Sequence, residues 1–349
     1  MESLNITDTV RSSELWTRTS SNDPHCVYHV SVDRMSKDMS VDAQKEYASN
    51  MDKLKHSSVI ELICSDEEKK LMVFQKYSES LEGGLQRHKV DHFFELNNFH
   101  NGQLYSLAPR SKNMLKKLLK GLEFLYRKNM SYQELSTRSV VFKDGDEGYE
   151  EPLFIDLFDL QDNAPPTHLW KKLADLIKHM IEYYKIEDKV SPDVECLLHQ
   201  LRRRGWTSAE KLKKHPALLD KAGKLKKIIQ IRDKIHDNVC IDIRPDFSAK
   251  VCEGFDWISF LKRVKNPYLD LMLAYRVQNP YRNDCNDLLD LIRNMSEHLN
   301  ENVKAYNHNN GRKWLKELTK VEKEALIEHI FPALASHLFN RVDATNWLK

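Results

Sequence analysis

The apolar residues of this chain change period along its length, and that change bounds the fold. Residues 27–35 (VYHVSVDRM) alternate apolar and polar side chains, the period of a half-buried strand. Residues 59–64 (VIELIC) and 71–77 (LMVFQKY) read as two further strands joined by the charged turn SDEEKK. From residue 111 apolar positions return every three to four residues. That spacing predicts helices over 111–129, 168–185 and 193–204, and over 287–299, where Leu288, Ile292, Met295 and Leu299 form one stripe. A short β patch at 139–157 interrupts the helices, and beyond residue 220 the chain reads as helical with a loop over 239–256. Strands first and helices afterwards imply an α+β architecture rather than a parallel sheet.

The 349 residues suffice for two or three domains with a real core. With 54 Lys and Arg against 52 Asp and Glu, the net charge points to no partner. Its distribution says more. Residues 202–232 hold eleven basic side chains and only two acidic ones, Glu210 and Asp220. Such a run is a solvated helical face or a surface for phosphates. The six cysteines have no C-x-x-C spacing, which fits a reducing compartment rather than a zinc site or a disulfide framework. No apolar h-region at the N-terminus and no run of 18 apolar residues are found, so the expectation is a cytoplasmic protein without a secretory signal or membrane span.

The polar side of the 287–299 helix carries Arg293, Asn294 and His298. Asn294 and His298 are four apart and share a face. Arg293 is five residues from His298 and reaches the same place only through its length. In isolation R-N-x-x-x-H is an acceptable surface-helix composition, so the rest of the chain has to decide its meaning.

The order of elements resembles a protein kinase over residues 25–216. GLEFLYRKNMSYQELSTRSVVF (121–142) resembles the segment through a kinase catalytic loop, and LFIDLFDL (153–160) resembles the strand with the metal-binding Asp. The matched positions depart from kinase chemistry. No glycine precedes Gly83, so a Gly-rich phosphate loop is absent. The strand that would carry the phosphate-pairing lysine reads Val30-Ser31-Val32-Asp33, which puts the anion Asp33 there. The catalytic triplet reads Tyr132-Gln133-Glu134, the loop asparagine is Ser139, and Asp156 is followed by Leu157 and Phe158 without glycine. The resemblance therefore implies a pseudokinase scaffold in which ATP binding is weak or absent.

The C-terminal part resembles the kinase-extension-nuclease (KEN) family of RNase L and the endoplasmic-reticulum unfolded-protein sensor. SPDVECLLHQLRRRGWTSAEKLKKHPALL (191–219) resembles the end of the kinase-like domain in RNase L, NPYRNDCNDLLDLIRNMSEHLNE (279–301) its nuclease core, and IFPALASHLF (330–339) its closing helix. This implies an N-terminal extension at 1–24 and a bilobal kinase-like domain at 25–216, its β-rich lobe running to about residue 77. An all-α, HEPN-like KEN domain follows at 217–349. Arg293, Asn294 and His298 fall on the family's R-N-x-x-x-H, Tyr281 on its catalytic tyrosine and Asp287 on the acidic residue at the helix start, where a carboxylate also suits the helix dipole. No ankyrin period, luminal domain or membrane span is expected, so neither of the family's known triggers is.

The chemistry implied is metal-independent cleavage of single-stranded RNA. The 2′-hydroxyl attacks phosphorus, leaving a 2′,3′-cyclic phosphate and a 5′-hydroxyl. Histidine suits proton transfer near neutrality, and arginine offers paired donors to a phosphate. The roles expected are His298 as general acid, Arg293 as phosphate stabiliser and Tyr281 as assistant to the 2′-hydroxyl, with exchange between His298 and Tyr281 left open. Asn294 orients the histidine or the scissile phosphate. No cofactor and no catalytic metal are expected, and His215 and His329 are expected to pack or to face solvent. The implied assembly is a homodimer. The competing class is a non-catalytic regulator that pairs with a full-length RNase L-family protein, and an active kinase is disfavoured.

Overall fold

The computed structural model describes residues 15–19, 27–31, 54–60, 62–66, 71–74, 77–99, 102–132, 135–143, 151–154, 160–162, 166–203, 208–236, 256–276, 279–310, 314–332 and 334–344. Within them the fold is α+β, mostly helical with small sheets. The chain divides into two compact units: residues 1–89, 113–184 and 201–213 form the first, and 90–112, 185–200 and 214–349 the second.

The first unit begins with two antiparallel hairpins, β1 (Leu15–Thr19) with β2 (Val27–Ser31) and β3 (Leu62–Asp66) with β4 (Leu71–Phe74). β1 lies in the segment read as an N-terminal extension. In a three-stranded sheet, β9 (Val140–Lys143) sits between β5 (Glu79–Ser80) and β10 (Glu151–Phe154). β8 (Met130–Tyr132) pairs with β11 (Leu160–Asp162). Helix α1 (Leu81–Arg87) starts where the Ser80 side chain accepts from the Gly83 N–H at 3.1 Å, satisfying one of its unpaired donors.

Helix α2 (Pro109–Arg127) is free of β-branched residues and follows the predicted apolar period. It ends before Asn129, whose φ of 59° is the left-handed conformation that asparagine tolerates. Gly121 is required on this helix. A Cβ there would lie 2.6 Å from Phe154 Cε2 and 2.7 Å from Ser58 Cβ, so an alanine overpacks the contact with β10 at about 1–3 kcal/mol. Helix α3 (Pro166–Tyr183) buries Leu169, Leu173, Ile177 and Met180 at helical spacing, as its pattern predicts.

The second unit opens with a hairpin that the apolar pattern did not predict, β6 (Phe94–Phe99) with β7 (Gly102–Leu107). Helix α4 (Pro192–Arg202) follows within 2 residues of its predicted bounds, and the single turn α5 (Ala209–Leu212) after it belongs to the first unit. The remaining helices are α6 (Lys221–His236), α7 (Trp257–Val264), α8 (Pro267–Ala274), α9 (Cys285–Asn309), α10 (Lys320–Ile330) and α11 (Leu334–Ala344). The predicted loop over 239–256 lies outside the described residues except for Asp256, the N-cap of α7.

Helix α9 organises this unit. Leu288, Ile292, Met295 and Leu299 are all buried, joined by Val303 one turn on, and they pack into one core with α6, α7, α8, α10 and α11. Each such side chain contributes about 1.5–3 kcal/mol of transfer free energy. That core fixes the rotation of α9 about its axis and so decides which residues it turns outward. Among the described residues no helix is long and apolar enough to cross a membrane.

Candidate functional site

Tyr281 reaches α9 through the short segment that precedes it. Asp284 caps the helix, its side chain accepting from the Asp287 N–H at 2.9 Å. The buried Asp287 carboxylate accepts in turn from the Arg282 N–H at 2.5 Å. Trp257 ties α7 to the same segment: its backbone N–H donates to Asn283 Oδ1 and its indole N–H to the Asp284 carbonyl, each at 3.0 Å. Asp287 is thus more than a dipole partner, because it holds the backbone of Arg282, the residue next to Tyr281.

Tyr281 itself is buried, with its ring in T-shaped contact with Trp257 at 6.1 Å. The Asn294 side-chain amide donates to its phenolic oxygen at 3.0 Å. Burial pushes the phenol above its ordinary range, while the Asn294 amide and the Arg276 cation act in the opposite direction. The sequence reading gives Asn294 the task of orienting the histidine or the phosphate; in the structure its side-chain amide holds Tyr281.

Arg293 and His298 meet through a carboxylate. Arg293 lies 2.8 Å from Glu297 Oε2, and His298 Nε2 lies 3.8 Å from the same oxygen. His298 Nδ1 is 3.0 Å from Glu301 Oε2. With a donor role at Nδ1, the ring leaves Nε2 for proton transfer on the side of Arg293. Glu297 and Glu301 were not singled out from the sequence, although Glu297 follows Arg293 by four residues, the spacing of helical ion pairs. The structure therefore sorts the sequence set into two groups: buried Tyr281, in the segment before α9, with Asn294, and Arg293 with His298 through the shared Glu297 carboxylate on α9.

The kinase-derived positions divide. Tyr132 is buried in β8, its ring 5.5 Å from that of Phe154. Ser139 is buried too, and its hydroxyl accepts from the Ser136 N–H at 3.3 Å in a local capping box. Both serve packing and local structure. Asp33, Gln133, Glu134 and Asp156 lie outside the described residues. His215 is buried against the Phe339 ring, and His329 Nδ1 is 2.9 Å from the Asn98 carbonyl.

A shallow cavity of about 130 Å³ lies beside α9, lined by Arg232, Ile235, His236, Asn286, Leu289 and Asp290. Among the described residues no three His, Cys, Asp or Glu side chains are grouped as metal ligands.

No protein-family model matches the chain, and no curated protein does. A solved structure of the Rad53 kinase domain and SCD2 is similar to it at 11% identity, over 59% of this chain and 84% of that one, with a TM-score of 0.44.

Proposed function

We propose that the chain is a metal-independent endoribonuclease of the KEN type, with residues 217–349 as the nuclease segment and 25–216 as a pseudokinase scaffold. The observation that carries this reading is that α9 holds Asn294 on the phenolic oxygen of Tyr281 and brings Arg293 and His298 to one shared carboxylate, Glu297. In the reaction proposed, the 2′-oxygen bonds to phosphorus and the P–O5′ bond breaks. The 2′-hydroxyl proton passes to the phenolate oxygen of Tyr281, whose charge the Asn294 amide supports beforehand. Protonated His298 delivers its proton from Nε2 to the departing 5′-oxygen. Arg293 faces the phosphate oxygens, where a fixed cation is worth most as charge builds.

The test is cleavage of a labelled single-stranded RNA by the full chain in EDTA. Wild type is expected to give 2′,3′-cyclic phosphate ends, and His298→Ala to lose about 10²–10⁴ in rate without loss of fold, since the residue lies off the buried stripe. Cleavage by His298→Ala at the wild-type rate rejects the assignment.

A second reading is a non-catalytic regulator that pairs with an RNase L-family protein. Glu297 favours it, because its carboxylate already neutralises Arg293. The same RNA assay, run on the chain alone and then with such a partner, separates the two.

A further inference from the structure

Arg276 lies outside the R-N-x-x-x-H pattern, yet it faces the residue that the pattern most needs held. Its guanidinium carbon sits 4.5 Å from the centroid of the Tyr281 ring. Two carboxylates of α9 fix it there, Asp287 Oδ1 and Asp290 Oδ2, each 3.8 Å away. Asp290 is itself held by Arg232 Nε at 2.8 Å, and Asp287 by the Arg282 N–H. The Tyr281 phenol is therefore fixed at three places: a cation on its ring face, Trp257 against its ring, and the Asn294 amide on its oxygen.

We infer that Arg276 is the positioning residue of Tyr281, stacking on its ring and supplying the positive charge that accompanies the phenolic oxygen. The consequence for catalysis rests on the ribonuclease reading; the geometry does not. Arginine suits this task for two reasons. Its flat guanidinium covers an aromatic face while its edges remain available to carboxylates. It also stays charged at every working pH.

The charged groups acting on the phenol are Arg276, Asp287 and Asp290. The cation offsets two carboxylates that on their own disfavour a phenolate. An uncharged residue at 276 removes the cation that faces the phenol while those carboxylates remain, so ionisation of Tyr281 moves to higher pH. Lysine keeps the charge but loses the stacking plane, and is expected to fall between.

The experiment is a pH titration of the Tyr281 ring by ¹³Cζ NMR in the full-length chain, with Tyr281→Phe to assign the signal. Arg276→Met is expected to shift the signal and move its ionisation upward, with Arg276→Lys intermediate. If wild type cleaves RNA, Arg276→Met is also expected to lose roughly ten- to a hundredfold in kcat, the scale of a misplaced catalytic group, and Arg276→Lys to regain part of it. A Tyr281 signal and titration superimposable on wild type in both variants overturns the inference, whatever the activity. An inactive wild type rejects the ribonuclease reading, and the ring titration then decides the role of Arg276 by itself. Should Arg276→Met fail to fold, Arg276→Lys decides alone, since loss of the ring contact displaces the signal even with the charge kept.

Discussion

Lys224 Nζ lies 2.5 Å from the Asp193 carboxylate, with both side chains almost wholly buried. Glu328 Oε1 approaches the same nitrogen at 2.5 Å, and the Ser336 hydroxyl donates to the other oxygen of Asp193 at 2.5 Å. The cluster joins α4, α6, α10 and α11 within the second unit. Lys224 belongs to the basic run at 202–232, as does Arg232, which pairs with Asp233 and Asp290. For these two residues neither a solvated face nor a phosphate surface applies: their charge is used inside the protein.

Lys224→Met is therefore expected to destabilise the chain by about 3–5 kcal/mol, because it leaves two carboxylates buried without their cation. Adding Asp193→Asn and Glu328→Gln recovers much of that loss. Burial alone lowers the lysine pKa, but Asp193 and Glu328 outweigh it and hold the folded value above the ordinary range. A raised cation contributes its full stability below the unfolded lysine pKa and loses it as pH rises through the folded one. The difference between wild type and Lys224→Met in urea unfolding should thus stay flat from about pH 6 to 9 and shrink only in strong alkali. A single variant within about 1 kcal/mol of wild type would show that the cluster is dispensable.

Where the sequence carried a strong period, the elements were legible. Helix α2 at 109–127 against an expected 111–129, and the buried stripe of α9, follow from spacing alone. The β6–β7 hairpin was not legible that way. Phe94 and Phe99 are buried but Leu96 is 47% exposed, so its apolar residues do not keep period 2. The Asn101-Gly102 pair was the available hairpin signal. At the site, Arg293, Asn294 and His298 were marked by their fit to a family pattern, since spacing alone left them an ordinary surface-helix composition, and Glu297 could have been found from its ion-pair spacing to Arg293. Arg276 was not, because it reaches Tyr281 from the end of another helix and no sequence interval encodes that contact.

Asp287 offers a prediction about the segment rather than the chemistry. Asp287→Ala removes the acceptor of the Arg282 N–H and one of the carboxylates that hold Arg276. The expected loss is about 1–3 kcal/mol, the cost of a buried group left without its partner. Asp287→Asn keeps an acceptor oxygen and should lose less. Denaturant midpoints with unchanged slope would establish this as a stability effect; equal stability of Asp287→Ala and wild type would remove Asp287 from the supporting role.

Glu297 is expected to compete with RNA. Its carboxylate pairs with Arg293 in the place that the proposed reaction gives to a phosphate. An exposed i,i+4 pair of this kind is worth about 0.2–0.5 kcal/mol, so Glu297→Gln should tighten single-stranded RNA binding by about twofold at low salt. Freeing one cation for a phosphate should also steepen the plot of log affinity against log salt by up to about 0.7. Anisotropy titrations across a salt series read both quantities. Weaker binding by the variant, or an unchanged slope, would mean that Arg293 does not meet the phosphate.

The last expectation concerns assembly. His298 is 46% exposed on its side chain, and the carboxylates of Glu297 and Glu301 beside it do not favour a polyanion. A second copy, related by a two-fold axis, adds a second Arg293 and His298 and extends the surface that RNA can follow. Pairing is a mass-action process, so the active fraction rises with protein concentration. Specific activity of wild type should therefore increase with concentration and level off once pairs saturate. Fusion to a constitutive dimer should give the plateau activity even in dilute solution, while the fused His298→Ala chain stays inactive. Sedimentation over the same concentrations should place the monomer–dimer midpoint where activity is half-maximal. Full activity from a demonstrated monomer, unaltered by the fusion, would refute pairing and leave the assignment of Tyr281, Arg293, Asn294 and His298 to be judged on their own variants.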